Sequence, residues 1–338
     1  MFGDTALRLA RLLAVPVMAM AFSAAPARAQ EFTMKFATLT INDIQYEYMK
    51  VYKAELEKAT NGRIKVELYP AGQLGGAPRQ SEGLRLGTIE AAIGPAELFV
   101  GVDPRFQALA MAGLFKDREQ ARRALDNPDM RKLIASVGDG RGLSTIGYTI
   151  YDMQMFNTKT PVNKLADLAN KRIRVLASDG EQAMVRALGA NSVPMSLPEV
   201  LPALQQGTID GVTTVLGVFA AFRYYDAAPY LLDSKLWALV SIVLVNKPWL
   251  DKLPPDLQKA VIEVGAKIEA PNHAWQTERI ASDKVAWAKN NGKIVSLSPE
   301  EQADAEKRVT ASLVPVLDKN ATLKTFYTGV KTISEGVK

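Results

Sequence analysis

Residues 78–90, with the sequence PRQSEGLRLGTIE, recur 120 residues later as residues 198–210, with the sequence PEVLPALQQGTID. In both copies a proline begins a helical stretch, which is followed by a Gly-Thr-Ile run and an acidic residue. Glycine commonly ends a helix because it adopts left-handed backbone dihedrals without steric cost. The repeat therefore predicts two lobes of similar build, each containing a helix that turns into a short strand.

Strand-like and helix-like segments alternate through the rest of the chain, which is typical of α/β proteins. Strands are predicted at residues 33–39, 64–68, 172–176 and 236–245. Helix starts of the capping-box type are predicted at the pairs Asn42/Gln45, Ser178/Glu181, Ser196/Glu199 and Ser298/Glu301.

A long helical pattern opens at Pro254 and Pro255 and reaches about Asn291. Pro271 lies inside this pattern and removes one backbone hydrogen bond, so a kink or a break is expected there. A helix of this length is too long for one small lobe. We expect it to run across both lobes.

The first 29 residues have the features of a secretory signal peptide. Arg8 and Arg11 precede the apolar run 12–22, and Ala27 and Ala29 stand at the −3 and −1 positions of a cut before Gln30. The apolar run is too short to span a bilayer. The sequence therefore predicts export to the periplasm and removal of residues 1–29.

Composition excludes several functional classes. The 338 residues include no Cys and one His, His273, so the chain has no Cys nucleophile, disulfide framework or Cys/His zinc site. The 41 Lys+Arg and 36 Asp+Glu residues form no basic tract, and nucleic acid is not expected as a partner. No metal or cofactor is expected either.

Several stretches, in their order and spacing, resemble the solute-binding proteins of tripartite ATP-independent periplasmic (TRAP) transporters, the DctP-type family. They cover nearly the whole exported chain: 61–70 (NGRIKVELYP), 72–75 (GQLG), 86–90 (LGTIE), 171–175 (KRIRV), 188–191 (LGAN), 193–195 (VPM), 203–211 (ALQQGTIDG) and 253–258 (LPPDLQ).

The resemblance implies an α/β, type II-like periplasmic binding protein fold, with hinge strands, a long helix spanning both lobes and a ligand in the cleft between them. Lobe 1 is expected at residues 30–151 plus about 239–277, and lobe 2 at residues 152–238 plus about 278–338. The family performs no catalysis. It captures small organic acids and delivers them to a small and a large TRAP membrane protein.

Arg174 is the principal candidate for ligand binding. Arg172 and Arg174 alternate with apolar residues and should share one face of their strand. A guanidinium grips a carboxylate through two parallel charge-assisted bonds. A structural ion pair or a solvated strand end is the alternative for either arginine. The resemblance favours Arg174, because the arginine of the family's Ile-Arg-Val stretch binds the ligand carboxylate.

Other cleft positions follow from the resemblance one at a time. They are Gly76, Pro95, Ala177 and Leu197, all small or apolar. The family often has Asn where this chain has Thr214, and a second arginine that is missing from residues 151–156. A buried second carboxylate without a partner would cost several kcal/mol. These departures favour a monocarboxylate with an apolar or aromatic body over a dicarboxylate or a heavily hydroxylated sugar acid.

Candidate contacts with that body are aromatic, and candidate hydrogen-bonding groups are polar. The aromatic candidates are Tyr46, Phe99, Phe219 and Trp237, and the polar ones are Thr213, Thr214 and Gln154. Ordinary core packing is the alternative for each aromatic residue.

Two other functions stay open at this level. A two-lobe binding protein could serve an ABC importer or a sensor instead of a TRAP transporter. An exported hydrolase would need an activated nucleophile, but the chain has no G-x-S-x-G or H-E-x-x-H motif. His273 is expected to be a half-exposed helix residue, and residues 138–142 (GDGRG) a helix-to-strand turn. No heptad pattern or exposed apolar stripe is evident, so a monomer is expected.

Overall fold

The computed structural model describes residues 30–337, so the proposed signal peptide lies outside the described residues. The strands are β1 (Phe32–Ala37), β2 (Ile64–Tyr69), β3 (Ala91–Pro95), β4 (Leu143–Met153), β5 (Met155–Thr158), β6 (Arg172–Val175), β7 (Asn191–Pro194), β8 (Gly211–Thr214), β9 (Tyr230–Asp233), β10 (Ala238–Asn246) and β11 (Lys293–Ser296). The helices are α1 (Ile44–Ala59), α2 (Ala77–Leu86), α3 (Arg118–Asp126), α4 (Pro128–Ala135), α5 (Asp179–Ala187), α6 (Leu197–Gln206), α7 (Leu216–Ala221), α8 (Lys247–Lys252), α9 (Pro255–Lys267), α10 (Glu269–Lys289), α11 (Pro299–Asp318) and α12 (Ala321–Gly336).

These strands form two sheets. The first sheet has the order β2-β1-β3-β10-β4, and the second has the order β11-β9-β5-β8-β6-β7. In the first, β1 runs parallel to β2 and β3, whereas β10 is antiparallel to β3 and β4. In the second, β6 runs parallel to β7 and β8, whereas β5 is antiparallel to β8 and β9. The mixed α/β class predicted from the sequence is confirmed.

The chain crosses between the sheets at two neighbouring places. β4 of the first sheet leads directly into β5 of the second, and β9 of the second leads back into β10 of the first. The backbone N–H of Gln154 donates to the carbonyl oxygen of Trp237 over 2.8 Å, which ties the two crossings together. These paired segments are where the expected hinge strands lie.

The internal repeat is confirmed as one structural unit present in each sheet. Helix α2 ends at Gly87, with a φ of 74°, and the chain turns into β3. Helix α6 ends at Gly207, with a φ of 71°, and the chain turns into β8. In both copies the backbone N–H groups of the glycine and of the next residue donate hydrogen bonds to carbonyl oxygens of the last helical turn. This pattern is expected where a helix ends at a residue with left-handed dihedrals.

Two of the four expected helix caps differ from the prediction. Asp43, not Asn42, caps α1, because its carboxylate accepts the N–H of Tyr46 over 3.0 Å, while Asn42 has a left-handed φ of 58°. Ser196 stands before α6 but its hydroxyl accepts no backbone hydrogen bond there. Ser178 and Ser298 cap α5 and α11 as expected.

The long helical pattern is broken, as predicted, into α9 and α10. The break lies at Ile268, one turn before Pro271, which occupies the first turn of α10. The missing N–H of Pro271 is the one that would have reached the carbonyl of Lys267, so the proline favours an interruption there. Helix α9 packs against β4 and α1, and α10 packs against both β4 and α7. Helix α10 therefore contacts both β4 of the first sheet and α7, which follows β8 of the second.

The last two helices pack on different halves of the molecule. Helix α11 packs against α5 beside the second sheet, whereas α12 packs against α3, α4 and the 3₁₀ helix Pro104–Ala110 beside the first. The division into lobes at the boundaries given above stays a proposal. Residues 138–142 form the turn between α4 and β4, as expected. Within residues 30–337, no helix is long and apolar enough to cross a bilayer.

Candidate functional site

Arg174 lies in the middle of β6, between Val193 of β7 and Val212 of β8. Its side chain is only 2% exposed, and Nε donates to the carbonyl oxygen of Met195 over 2.9 Å. No residue in the range 30–337 forms a hydrogen bond with its two terminal nitrogens. Burial lowers the pKa of Arg174, and the Glu181 carboxyl acts in the opposite direction. A guanidinium remains charged under these conditions, so two terminal nitrogens of a buried cation, with four N–H groups, are available.

Two cavities meet at Arg174. The inner one has a volume of about 30 Å³, and the outer one, between α2, α6 and the segment after β3, has a volume of about 550 Å³. Arg174, Leu176, Leu197 and Leu98 line both. The inner volume suffices for about one water molecule. Arg174 therefore lies between a small inner cavity and a larger outer one.

Many of the residues predicted for the site lie along these cavities. Those lining the inner cavity are Arg174, Gln154, Thr213, Thr214, Pro95 and Leu197, and Ala177 lines the outer one. The Gln154 amide nitrogen is buried and has no partner among the described residues. It is therefore a donor without an acceptor at the crossing between the sheets. The ligand-binding roles of all these residues stay predictions.

The structure places the remaining candidates elsewhere. Phe99, Phe219 and Trp237 are buried in the hydrophobic core, where Phe219 packs on Trp287 and Trp237 packs on Phe156. The Tyr46 ring is half-buried and faces Lys50, and Gly76 lies opposite the Ser196 hydroxyl. Of these five, none lines either cavity. Phe99, Phe219 and Trp237 thus occupy the core positions that were the alternative, and contact of any of the four aromatic residues with a ligand stays a prediction without support from the cavities.

Two polar residues that line the inner cavity were missed from the sequence, and so was Glu97 on the outer one. Thr40 and Gln45 line the inner cavity from the loop after β1 and the first turn of α1. The Thr38 hydroxyl donates to the Gln45 side-chain oxygen over 3.0 Å, which orients the amide. Gln45 was assigned to a capping box, and the shift of the cap to Asp43 turns it inward instead. The apolar lining at Leu39, Leu98, Leu176, Val218 and Leu239 was also missed.

Two buried carboxyl groups stand near Arg174. Glu181 accepts the Thr213 hydroxyl over 2.6 Å and the Leu176 N–H over 2.6 Å. Glu97, from the 3₁₀ helix Ala96–Phe99, accepts the Ser178 hydroxyl over 2.7 Å. Burial raises the pKa of Glu181 to about 7, and burial followed by the charge of Glu181 raises the pKa of Glu97 well above its ordinary value.

Arg172 is in a different environment from Arg174. It is exposed, and its guanidinium pairs with the Asp210 carboxylate through bonds of 2.9 and 2.8 Å. This is the structural ion pair that the sequence left open. His273 lies on α10, where its ring bonds Arg118 and Glu119 away from both cavities. Among residues 30–337, no group of three or more acidic or histidine side chains could hold a metal ion.

The family model for bacterial extracellular solute-binding proteins, family 7, named DctP, matches residues 37–319. The chain belongs to this family. A curated relative of this DctP-family chain is the 2,3-diketo-L-gulonate-binding periplasmic protein YiaO of Escherichia coli (strain K12). It is 29% identical over 265 residues, which cover 78% of this chain and 79% of the relative.

Solved structures share the fold. A TRAP periplasmic solute-binding protein from Xanthobacter autotrophicus Py2 with bound β-D-galacturonate has a TM-score of 0.81 at 24% identity, covering 88% of this chain and 99% of that one. Another, from Desulfovibrio salexigens with bound orotic acid, has a TM-score of 0.82 at 21% identity, covering 89% and 99%. The DctP-family chain therefore has the two-lobe periplasmic binding protein fold.

Proposed function

We propose that this chain captures a small organic acid between its lobes, with the acid's carboxylate on Arg174, and delivers it to the membrane subunits of a TRAP transporter. The observation that carries the proposal is a buried guanidinium whose two terminal nitrogens have no partner among the described residues, at the junction of two cavities. Such a fork matches a carboxylate in shape and charge.

The ligand we favour is a monocarboxylate with an apolar or aromatic body. Arg174 is the one cationic residue lining the inner cavity, and leucines make up much of the remaining wall. A second buried carboxylate would lack a cation and would cost several kcal/mol. Orotic acid, which one structural neighbour binds, is a flat ring with one carboxyl group.

A sugar acid with one carboxylate is the second candidate. The side chains of Thr40, Gln45 and Gln154 bring hydrogen-bonding groups to the inner cavity that suit hydroxyl groups of a ligand. YiaO is named for a sugar acid, and one structural neighbour binds galacturonate. Both candidates carry a single carboxylate for Arg174.

Entry of an acid into the inner cavity requires the lobes to separate and close again. A cavity of about 30 Å³ cannot admit an organic acid while the lobes are shut. We infer that the open form exposes Arg174, and that a bound carboxylate draws the lobes together about the two crossings. Closure excludes water and so strengthens the ion pair. The changed outer surface lets the transporter distinguish loaded from empty protein.

Binding, and not catalysis, is the activity proposed. The ring of the single histidine, His273, is hydrogen-bonded to Arg118 and Glu119 and lines neither cavity. It is therefore not placed to act as a base in the cleft. The receiving partner could also be an ABC importer or a sensor. The neighbouring genes distinguish these partners from a TRAP transporter. A TRAP system requires genes for a small four-helix and a large multi-helix membrane protein.

A ligand screen on the protein from residue 30 onward tests the proposal. Thermal shift followed by calorimetry would compare benzoate, orotate, D-galacturonate and succinate, with ester hydrolysis as a parallel assay. A ligand at about 100 times its Kd adds about 2.7 kcal/mol to stability. We expect a monocarboxylate to raise the melting temperature and succinate to have little effect. Tighter binding of succinate would contradict the single carboxylate, and silence from all acids would contradict acid capture.

A further inference from the structure

Glu97 presents a buried oxygen atom without a partner next to the proposed anion site. The residue is 2% exposed and lines the outer cavity together with Arg174. Its Oε1 accepts the Ser178 hydroxyl across the lobe boundary, and its Oε2 has no hydrogen-bond partner among the described residues. Glu97 does not form an ion pair with Arg174. A buried carboxyl oxygen left unpaired is costly unless a ligand completes its bonding.

The Ser178 hydroxyl determines which Glu97 oxygen acts as an acceptor. Ser178 caps α5 and accepts the N–H of Glu181 over 3.1 Å, so its one proton is free to go to Glu97 Oε1. Oε1 is therefore the carbonyl-type oxygen. A proton on Glu97 would sit on Oε2, where it faces no protein acceptor.

The hydrogen bonds of Glu181 make it the first of the two carboxyls to ionise, with a pKa that burial raises to about 7. Both Glu181 oxygens accept short bonds, one from Thr213 and one from the Leu176 backbone. Glu97 accepts only one. Donors to both oxygens favour the ionised form, and two neighbouring buried carboxyls titrate as a pair that shares a proton. Burial and the charge of Glu181 both raise the pKa of Glu97, in agreement with the proton lying on Glu97.

The charge balance at Arg174 depends on that proton. With Glu97 neutral and Glu181 ionised, the charges of Arg174 and Glu181 cancel, and an incoming carboxylate meets no net negative charge. With Glu97 ionised, the carboxylate meets an additional negative group at low dielectric, where repulsion is strong. The other titratable groups that act on Arg174 are Tyr224 and Glu199, and Glu82 and Arg85 on the outer cavity pair with each other.

We propose that Glu97, held as a neutral carboxylic acid, contacts the solute and donates its Oε2 proton to the carboxylate that Arg174 binds. The proposal rests on the acid-binding function proposed above. Arg174 grips the carboxylate, and Glu97 supplies one further hydrogen bond to it. Neutral Glu97 can donate one hydrogen bond to a carboxylate but cannot balance a second negative charge on the solute. The site therefore selects ligands with a single carboxylate. When alkaline solution removes the Glu97 proton, solute binding weakens, because Glu97 must take up a proton again before the solute can bind.

A spectroscopic test needs no ligand. The infrared difference spectrum between the wild type and Glu97→Gln at about pH 7 should contain the carbonyl band of a protonated carboxyl group. The matched control is Glu199→Gln, which removes an exposed glutamate from the same cavity and should leave that band unchanged. Loss of only a carboxylate band in Glu97→Gln would overturn the proposal, and circular dichroism would verify that the variant is folded.

Calorimetry with benzoate and D-galacturonate tests the ligand contact. Above about pH 8, where Glu181 with its pKa of about 7 is already ionised, the wild-type Kd should rise with pH, approaching tenfold per pH unit once Glu97 ionises. Glu97→Gln, whose amide can still donate, should bind within about tenfold of the wild type at pH 6 and show no such rise. Glu199→Gln should keep the same rise with pH, although loss of its charge near Arg174 changes the Kd by a constant factor. A flat wild-type profile would overturn the inference while leaving acid capture intact. If neither acid binds, acid capture fails, and the infrared result alone decides the state of Glu97.

Discussion

Arg172 and Arg174 lie two residues apart on β6, yet they differ in what their guanidinium groups contact. The Arg172 fork is occupied by Asp210, whereas the terminal nitrogens of Arg174 have no partner among the described residues. We expect Arg174→Ala to weaken binding of the best acid from the screen by at least about 30-fold, since losing one member of a buried charge pair costs about 2–5 kcal/mol. Calorimetry measures the loss, and circular dichroism verifies the fold.

Arg172→Ala is the matched control for Arg174→Ala. It removes an equal charge from the same strand, but only from an exposed ion pair, and such pairs contribute little. Its Kd should stay within about twofold of the wild-type value. Equal losses in the two variants would mean that general positive charge on β6, and not the fork of Arg174, attracts the acid.

Asp152, near the end of β4, gives a prediction about pH. Burial raises the pKa of its carboxyl to about 6 from an ordinary 3.8, although its Oδ1 accepts the Met153 N–H over 2.8 Å. The folded state therefore holds the proton more strongly than the unfolded state. The stability associated with this group is fully present below about pH 4 and is lost as pH rises through about 6.

Asp152→Asn should remove that loss because an amide stays neutral. Each pKa unit corresponds to about 1.4 kcal/mol, so we expect the variant to be about 1–3 kcal/mol more stable than the wild type at pH 8, and the difference to vanish near pH 4. Urea unfolding at both pH values measures it. A less stable variant at pH 8 would show that attraction to Arg118 outweighs the cost of burying the charge.

At the scale of elements, the helix-to-strand unit found in both sheets depends on one glycine in each copy. Gly87 and Gly207 have φ values of 74° and 71°, which disfavour any residue with a Cβ. A Cβ on Gly87 would lie 3.3 Å from the Asn246 side chain, and one on Gly207 would lie 3.6 Å from Lys159. A substitution would therefore strain the backbone similarly in both copies, and the added Cβ would have the closer contact at Gly87.

We expect Gly87→Ala and Gly207→Ala each to lower the free energy of unfolding by about 1–2 kcal/mol, with the larger effect at Gly87. Gly101→Ala is the control, because its Cβ would meet nothing within 4 Å and its φ is not left-handed. Urea denaturation measures all three. Equal stability of Gly87→Ala and Gly101→Ala would contradict the role given to the left-handed helix end.

The sequence predicted elements better than it predicted the cavity. The repeat, the strands and the interruption near Pro271 follow from local propensities, and each is present in the structure. Thr40 and Gln45 were missed because the direction of a loop depends on what packs behind it, and here Asp43 moved the helix start by one residue. Phe219 and Trp237 could not be assigned to core or cleft, since both environments favour aromatic residues.

At the scale of the whole molecule, three hydrogen bonds among the described residues join α5 and its cap to segments that follow β3 near the site, one of them from the Ala112 N–H to Met184 Sδ over 3.3 Å. The Ser178 hydroxyl donates to Glu97, and the Gly180 N–H donates to the Gln107 side chain over 3.1 Å. Both link the start of α5 to segments that follow β3. A small number of hydrogen bonds of this kind contributes only modestly to stability. Their breakage is compatible with lobe separation when no ligand bridges the cleft.

Small-angle X-ray scattering tests this closure directly. The ligand-free protein from residue 30 onward should have a larger radius of gyration than the arrangement described here, because an acid cannot enter an inner cavity of about 30 Å³ unless the lobes part. Saturating acid should reduce the radius in the wild type and in Arg172→Ala, but not in Arg174→Ala, which lacks the group that the carboxylate bridges. A radius that stays constant while calorimetry reports binding would mean that the acid reaches Arg174 through the outer cavity, with the lobes remaining shut.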